Sequence, residues 1–328
     1  MKVLITGGAG YIGSTIGTAC IEAGHEVVLL DDLSTGLRTF GADRNLFEGD
    51  IADPDVLGRL LERHPDIDAV VHCAARTVVP ESVSDPLGYY HANVGKTIVL
   101  LQQLCDAGID RVVFSSSAAV YAGEGGGGVD ETAAVAPGSP YATTKAMVEQ
   151  ILSDAAEAGD LRAIALRYFN PIGADPRLRT GLQNPVPSHA LGKILTAHAN
   201  GTAFTITGTD WPTRDGSGLR DYIHVWDLAL AHVAALERFD DVVTEAKPYR
   251  VINLGTGDGV TVRELVASFE RVTGSVLSVE ESPRRPGDQA GAFAVVDLAD
   301  QILDWRAQRS VDDGVRDALA WAIKLRSL

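Results

Sequence analysis

The chain opens on Met1-Lys2-Val3-Leu4-Ile5-Thr6-Gly7-Gly8-Ala9-Gly10-Tyr11-Ile12-Gly13. An apolar run over residues 3–6, ended by a glycine cluster, predicts a short buried strand. Residues 12–23 then repeat with helical spacing, and Gly24 stops them. Glycines between a strand and a helix allow a tight turn and let backbone amides approach a pyrophosphate at the helix N-terminus. Gly7, Gly10, Tyr11, Ile12 and Gly13 are therefore candidate dinucleotide contacts. The spacing is GxxGxxG, one residue longer in its first step than the usual fingerprint. Residues 26–30 form a second buried strand closed by Asp31-Asp32. A carboxylate there can accept bonds from both hydroxyls of an adenosine ribose and would repel a 2′-phosphate, so Asp31 favours NAD over NADP. Asp50-Ile51 follow the next short strand and are placed to contact the adenine.

Working outward, apolar runs at 68–72, 111–115 and 163–167 alternate with helical stretches at 56–63, 93–107 and 141–158. Such alternation implies right-handed crossovers and a doubly wound parallel α/β sheet, Rossmann-like, through residue 169. Proline and glycine punctuate 171–187, a loop-rich stretch that holds Arg177 and Arg179. Helices at 188–199, 227–237, 262–273 and 311–324 and strands at 204–207 and 250–253 complete the reading. The expected organisation is a dinucleotide-binding domain over 1–169 and a smaller substrate lobe over 170–328. Segments near 223–253 and 293–297 are expected to return to the first sheet, and residues 125–128 read as a loop tip.

The chain has 328 residues, 28 basic and 44 acidic, for a net charge of −16. That balance argues against a nucleic-acid backbone or an anionic membrane as partner. No apolar run approaches the roughly 18 residues of a membrane span. Three cysteines without CxxC spacing read as thiols in a reducing, cytoplasmic setting. The histidines show no HxxxH or HExxH spacing, so no metal site is expected.

Tyr141-Ala142-Thr143-Thr144-Lys145 carries the second signal. Tyrosine and lysine four apart share one helix face. A free phenol titrates at about 10 and is a poor base at neutral pH. A neighbouring ammonium and an oxidised nicotinamide would favour the phenolate, leaving Tyr141 as a general base. Upstream, residues 112–114 run into Ser115-Ser116-Ser117, which can set the Ser117 hydroxyl beside that phenol. Glycine loop, strand-end serine and YxxxK, in that order, form a specific constellation.

These motifs resemble the extended short-chain dehydrogenase/reductases and, within them, the UDP-glucose (UDP-galactose) 4-epimerases. The likeness rests on residues 6–13, 114–121, 139–145, 166–173, 211–227 and 283–288, and covers nearly the whole chain. The resemblance implies tightly held NAD, a homodimer, and a UDP-sugar bound between two lobes. It implies that Ser117, Tyr141 and Lys145 are catalytic, and that Tyr168, Pro171, Ala74, Thr77 and Asn93 belong to the cofactor site. Asn170, Ala190, Arg220, Arg285 and Asp288 would meet the nucleotide sugar. The expected activity is reversible C4 epimerisation of a UDP-hexose through a transient 4-keto sugar.

The residues themselves agree with that implication. Arginine forks suit the two phosphates of a UDP-sugar, and Arg220 and Arg285 supply positive charge in an acidic protein. Related dehydratases and decarboxylases need a carboxylate just past the strand-end hydroxyl, where this chain has Ala118 and Ala119. A catalytically silent NAD-binding module would not need Ser117, Tyr141 and Lys145 together. Thr77 stands where a lysine usually reaches the cofactor phosphates, and Arg76 is the candidate substitute. Ala292, where some relatives carry tyrosine, suggests a roomier pocket and a UDP-N-acetylhexosamine. Arg177 or Arg179 could instead pair with the C6 carboxylate of UDP-glucuronate. Thr205 and Thr207 are candidates for the uracil or sugar pocket.

Overall fold

Lys2–Thr6 is a strand whose side chains alternate between two buried faces, as period-two geometry requires. Val3 and Ile5 join Val71, Val113, Ile164 and Ile252 on one face, while Leu4 joins Val28, Val70, Val112 and Ala163 on the other. Near-continuous burial of this kind is what a parallel sheet covered by helices on both sides demands. In the computed structural model, which describes residues 1–42, 44–122, 126–184, 187, 189–284 and 289–327, that sheet has seven strands. In spatial order they are Tyr249–Leu254, Arg162–Tyr168, Arg111–Ser115, Ala69–His72, Lys2–Thr6, Glu26–Asp31 and Leu46–Glu48.

All six neighbouring pairs run parallel. The chain leaves the first strand in one direction and returns on its other side with Ala69–His72. A crevice opens at that reversal, beyond the carboxyl ends of the two strands. The helices Tyr11–Glu22 and Val225–Glu237 cover one face; Pro54–Arg63, Lys96–Asp106 and Pro140–Ala158 cover the other.

A second core gathers Ile172, Leu191, Ile194, Phe204, Ile206, Tyr222, Leu265, Phe269 and Val315. Beside it lies a four-stranded sheet of Val260–Thr261, Leu219–Arg220, Gly291–Ala294 and Gly128–Val129. Two expectations change here. Residues 293 and 294 pair with Gly128 and Val129 instead of returning to the large sheet. Gly128 is likewise a strand residue, not part of a loop tip. The segment that does return is Asp297–Leu303, whose Ala299 and Leu303 join the large sheet's core. No helix among the described residues is long and apolar enough to cross a membrane.

Candidate active site

A cavity of about 980 Å³ runs from the crevice at the sheet reversal into the second lobe. Its floor is the glycine turn. Gly7 adopts φ +67°, where L side chains are strained, and a Cβ there would lie 2.8 Å from the Ala74 amide nitrogen. A Cβ on Gly13 would lie 2.2 Å from the Gly7 carbonyl oxygen. The helix that follows starts at Tyr11 with no side-chain cap and no acidic residue in its first turn. Its free amides and dipole are suited to an anion. Gly7, Gly10, Tyr11, Ile12 and Gly13 all line the cavity, and Tyr11 Oη bonds the Gly173 carbonyl oxygen at 2.8 Å.

Asp31 ends the second strand at the cavity wall. Its carboxylate accepts the Ala9 and Leu33 amides at 2.9 and 2.8 Å. Burial raises its pKa and those two bonds oppose the rise. Asp50 and Ile51 line the same end. Burial works against the Asp50 charge, but the ion pair with Lys96 and the Ala52 amide bring its pKa below the usual value. A pyrophosphate cradle that only glycine fits, with two carboxylates beyond it, matches the shape and donor set that NAD requires.

Ala74, Arg76 and Thr77 form the wall opposite the glycine turn. Arg76 does not replace the missing lysine with a free charge. Its guanidinium bonds Asp85 at 2.6 Å and lies 4.4 Å from the Tyr89 ring centre. Asn93, expected in the cofactor pocket, lies behind this wall and does not line it. Its side-chain oxygen accepts the Arg76 amide at 2.8 Å, and its nitrogen donates to Arg76 O and Thr144 Oγ1, both at 3.0 Å. It therefore ties the wall to the helix that carries Tyr141.

That helix, Pro140–Ala158, begins with Ser139 accepting the Ala142 amide and Pro140 in its first turn. Tyr141 and Lys145 both face the cavity. Lys145 donates to the Ser115 backbone oxygen at 2.8 Å, and its Nζ sits 4.8 Å from the Phe114 ring centre. Burial pulls its pKa down to about 8, opposed by Cys73 and Glu149. Burial raises the Tyr141 phenol instead, opposed by a hydrogen bond with Ser117. The ammonium is not what acidifies the phenol here, contrary to the expectation from i, i+4 spacing. Ser117 Oγ accepts the Ala119 amide at 3.1 Å, which leaves its own proton for the phenol oxygen. Ala118 and Ala119 follow as methyl groups, with no acid at the place where elimination would need one.

Residues 3–255 match the family model described as NAD dependent epimerase/dehydratase family. The chain belongs to that family. The matched span closes on Tyr249–Leu254, the outermost strand of the large sheet. A UDP-glucose 4-epimerase of Azospirillum brasilense is 44% identical, with 98% of this chain and 91% of the relative aligned. One of Erwinia amylovora is 41% identical over 98% of this chain and 97% of the relative. Among solved structures, the UDP-glucose-4-epimerase of Stenotrophomonas maltophila, with bound NAD and formylated UDP-arabinopyranose, superposes with a TM-score of 0.93. It is 40% identical and covers all of both chains. The doubly wound sheet is thus that of an extended short-chain dehydrogenase/reductase.

In this epimerase/dehydratase fold the second lobe supplies the far end of the cavity. Tyr168, Asn170 and Pro171 line it where Asn170–Ile172 pairs with Tyr222–His224. Thr205 and Thr207 point inward from a strand whose Phe204 and Ile206 are buried. Arg220 donates to Leu219 O at 2.6 Å and Ala290 O at 3.2 Å, and no carboxylate among the described residues pairs with it. Ala190 opens the helix Ala190–Asn200 at the cavity wall. Arg285 and Asp288 lie outside the described residues.

Arg177 and Arg179 do not line the cavity. Their loop folds back on the first helix, where Arg177 meets Glu22 at 2.9 Å and Arg179 meets Glu22 at 2.6 Å. Asp175, fully buried, accepts from Arg179 as well and fixes that direction. Ala292 also lies off the cavity, paired with Arg220 across two strands.

Sequence reasoning missed His189, Lys193 and Lys96. His189 caps its helix by accepting the Gly192 amide at Nδ1, 3.2 Å away, so the proton of the neutral ring is on Nε2. Burial pulls its pKa down to about 4, and that Nε2 is buried without a partner. Lys193 is exposed one turn along on the cavity rim. An N-cap was the available signal, but Ser188 is a more usual cap and drew the expected helix start one residue too early.

Proposed function

We propose that the chain inverts C4 of a UDP-hexose reversibly, interconverting UDP-glucose and UDP-galactose through a transient 4-keto sugar. The observation that carries this reading is Tyr141, bonded to Ser117 and facing the cavity beside Lys145, with alanine at 118 and 119. Tyr141 takes the proton from O4 of the sugar and returns it after inversion. Ser117 donates to the phenol oxygen and so holds the negative charge that forms there. Lys145, fixed on the Ser115 carbonyl, keeps a cation at the base of the site. When bound, NAD supplies the hydride acceptor and donor for C4 and a positive charge beside the phenol.

Gly7, Gly10, Tyr11, Ile12, Gly13, Asp31, Asp50, Ile51, Ala74, Thr77, Tyr168 and Pro171 would hold that cofactor. Asn170, Ala190, Thr205 and Arg220 would hold the nucleotide sugar, and the His189 Nε2–H and Lys193 add donors for its phosphates. A neutral hexose is favoured over a hexuronate because Arg177 and Arg179 are engaged on Glu22 and Asp175. The N-acetylhexosamine reading loses its support with Ala292 off the cavity. We also propose a homodimer in a reducing cytoplasm. Apolar Val83, Leu87, Ile98 and Met147, exposed on helices of one face, support the first, and three free cysteines the second.

Purified protein given UDP-glucose should reach a mixture of C4 epimers without added cofactor. Dependence on a consumed reductant, or a product of altered mass, would defeat the reading. Tyr141→Phe should lower kcat by at least about a hundredfold while leaving UDP-sugar binding intact. Retained turnover would remove Tyr141 from the role of base.

A further inference from the structure

Ser115 closes a central strand directly behind the reaction centre, and three cavity-lining groups converge on it. The Lys145 ammonium donates to its backbone oxygen at 2.8 Å. The Cys73 thiol lies 3.1 Å from its hydroxyl, and the Tyr168 phenol bonds that hydroxyl too. A fourth partner does not reach the cavity. His232, wholly buried on the helix Val225–Glu237, sets Nε2 3.0 Å from Ser115 Oγ and Nδ1 2.9 Å from the Leu228 carbonyl oxygen.

These contacts decide which atom donates to which. A carbonyl only accepts, so Nδ1 carries the ring proton. Burial keeps the imidazole neutral, with a pKa pulled down to about 4, so Nε2 must accept at neutral pH. Ser115 has a single proton, and it goes to His232. The remaining lone pairs of Ser115 Oγ therefore take protons from Tyr168 and Cys73. Tyr168 then turns only lone pairs toward the cavity.

We propose that His232 is a positioning residue that acts through Ser115: it holds the Tyr168 hydroxyl proton away from the cavity, so that Tyr141 alone exchanges a proton there. The role given to Tyr141 rests on the epimerase reading above. Around this cluster the titratable groups are Tyr141 and Cys73 beside Tyr168, then Lys145 and, one helical turn on, Glu149. Every variant below leaves them in place.

His232→Leu removes the acceptor, so the Ser115 proton turns to the Tyr168 oxygen and releases the Tyr168 proton toward Tyr141. A donor to the phenolate lowers its pKa, and the acid limb of the kcat–pH profile should move down by about half a unit or more. KM for UDP-glucose should stay unchanged. His232→Gln, whose amide oxygen can accept from Ser115, should keep the wild-type limb. Ultraviolet difference titration of tyrosinate in the resting protein, with Tyr141→Phe as the blank, should show the same shift. An unmoved limb in folded His232→Leu, or an equal shift in His232→Gln, overturns the proposal. Should His232→Leu fail to fold, Ser115→Ala frees the same Tyr168 proton without touching the helix; it must reproduce the shift, and its absence overturns the proposal. If the wild type fails to epimerise, the functional reading falls, while the tyrosinate titration still judges His232.

Discussion

Lys145 shows how one side chain can be needed by a site and costly to the fold. Its ammonium is buried among Phe114, Cys73 and the end of a central strand, and burial brings its pKa from 10.5 to about 8. Between those two values the unfolded chain holds a proton that the folded chain has released. Stability from this group therefore rises with pH across that window and is lowest below it. The full span corresponds to about 3 kcal/mol at 1.36 kcal/mol per unit. Lys145→Met should then be the more stable protein at pH 7, and the difference in unfolding free energy should shrink as pH rises from 8 toward 10.5. Comparing the two chains cancels the buried tyrosines, which titrate in the same range with opposite sign. A pH-independent difference in urea unfolding would show that burial of the charge is not what Lys145 costs. Sequence pattern placed Tyr141 and Lys145 on one helix face, because a 3.6-residue period is local. It gave the wrong source for the phenol's acidity, because the direction of Lys145 is set by the Ser115 carbonyl on another element.

At the scale of elements, the legible parts are those whose signal lies within one run of chain. The strands beginning near 3, 26, 69, 111 and 163 and the helices between them follow from burial on both faces of a parallel sheet. Three features carried no such signal. Leu46–Glu48 is too short to show a period. His91–Gly95 is a wider π turn inside what reads as an ordinary helix start. Gly128–Val129 becomes a strand only by meeting Phe293 and Ala294 from the far end of the sequence. The buried pair Glu149–Arg167 is another non-local product. Arg167 donates to Glu149 from Nε and Nη2 and to Tyr121 Oη at 2.9 Å, and Tyr121 donates to Asn253 at 2.7 Å. Both charges are under a tenth exposed, so this network joins the catalytic helix to two strands and the segment after a third. Arg167→Met leaves a buried carboxylate unpaired and should lower unfolding free energy by about 3–5 kcal/mol. Adding Glu149→Leu should recover part of that loss, since the uncompensated charge leaves with it. A double variant at least as unstable as the sum of the singles would show that packing, not charge pairing, dominates there.

At the scale of the whole molecule, the helices that hold the site also carry its most exposed apolar side chains. Leu87 is 80% and Val83 66% exposed, and Ile98 and Met147 extend the apolar character onto the helices Lys96–Asp106 and Pro140–Ala158. The second of these carries Tyr141 and Lys145, and Asn93 links its Thr144 to the cofactor wall. An interface with a second copy would therefore brace the helix on which the reaction depends, without entering the cavity. A two-fold contact uses each residue twice. Burying one leucine contributes about 1.5–3 kcal/mol, so placing a charge at Leu87 in both copies should weaken association by about a hundredfold or more. Leu87→Lys should sediment as a monomer at concentrations where the wild type is a dimer, and its thermal midpoint should lose any dependence on protein concentration. Turnover per chain should fall with the dimer fraction if the partner steadies the catalytic helix. A wild type that is monomeric throughout, or a Leu87→Lys dimer as tight as wild type, would place the contact elsewhere or nowhere on this face.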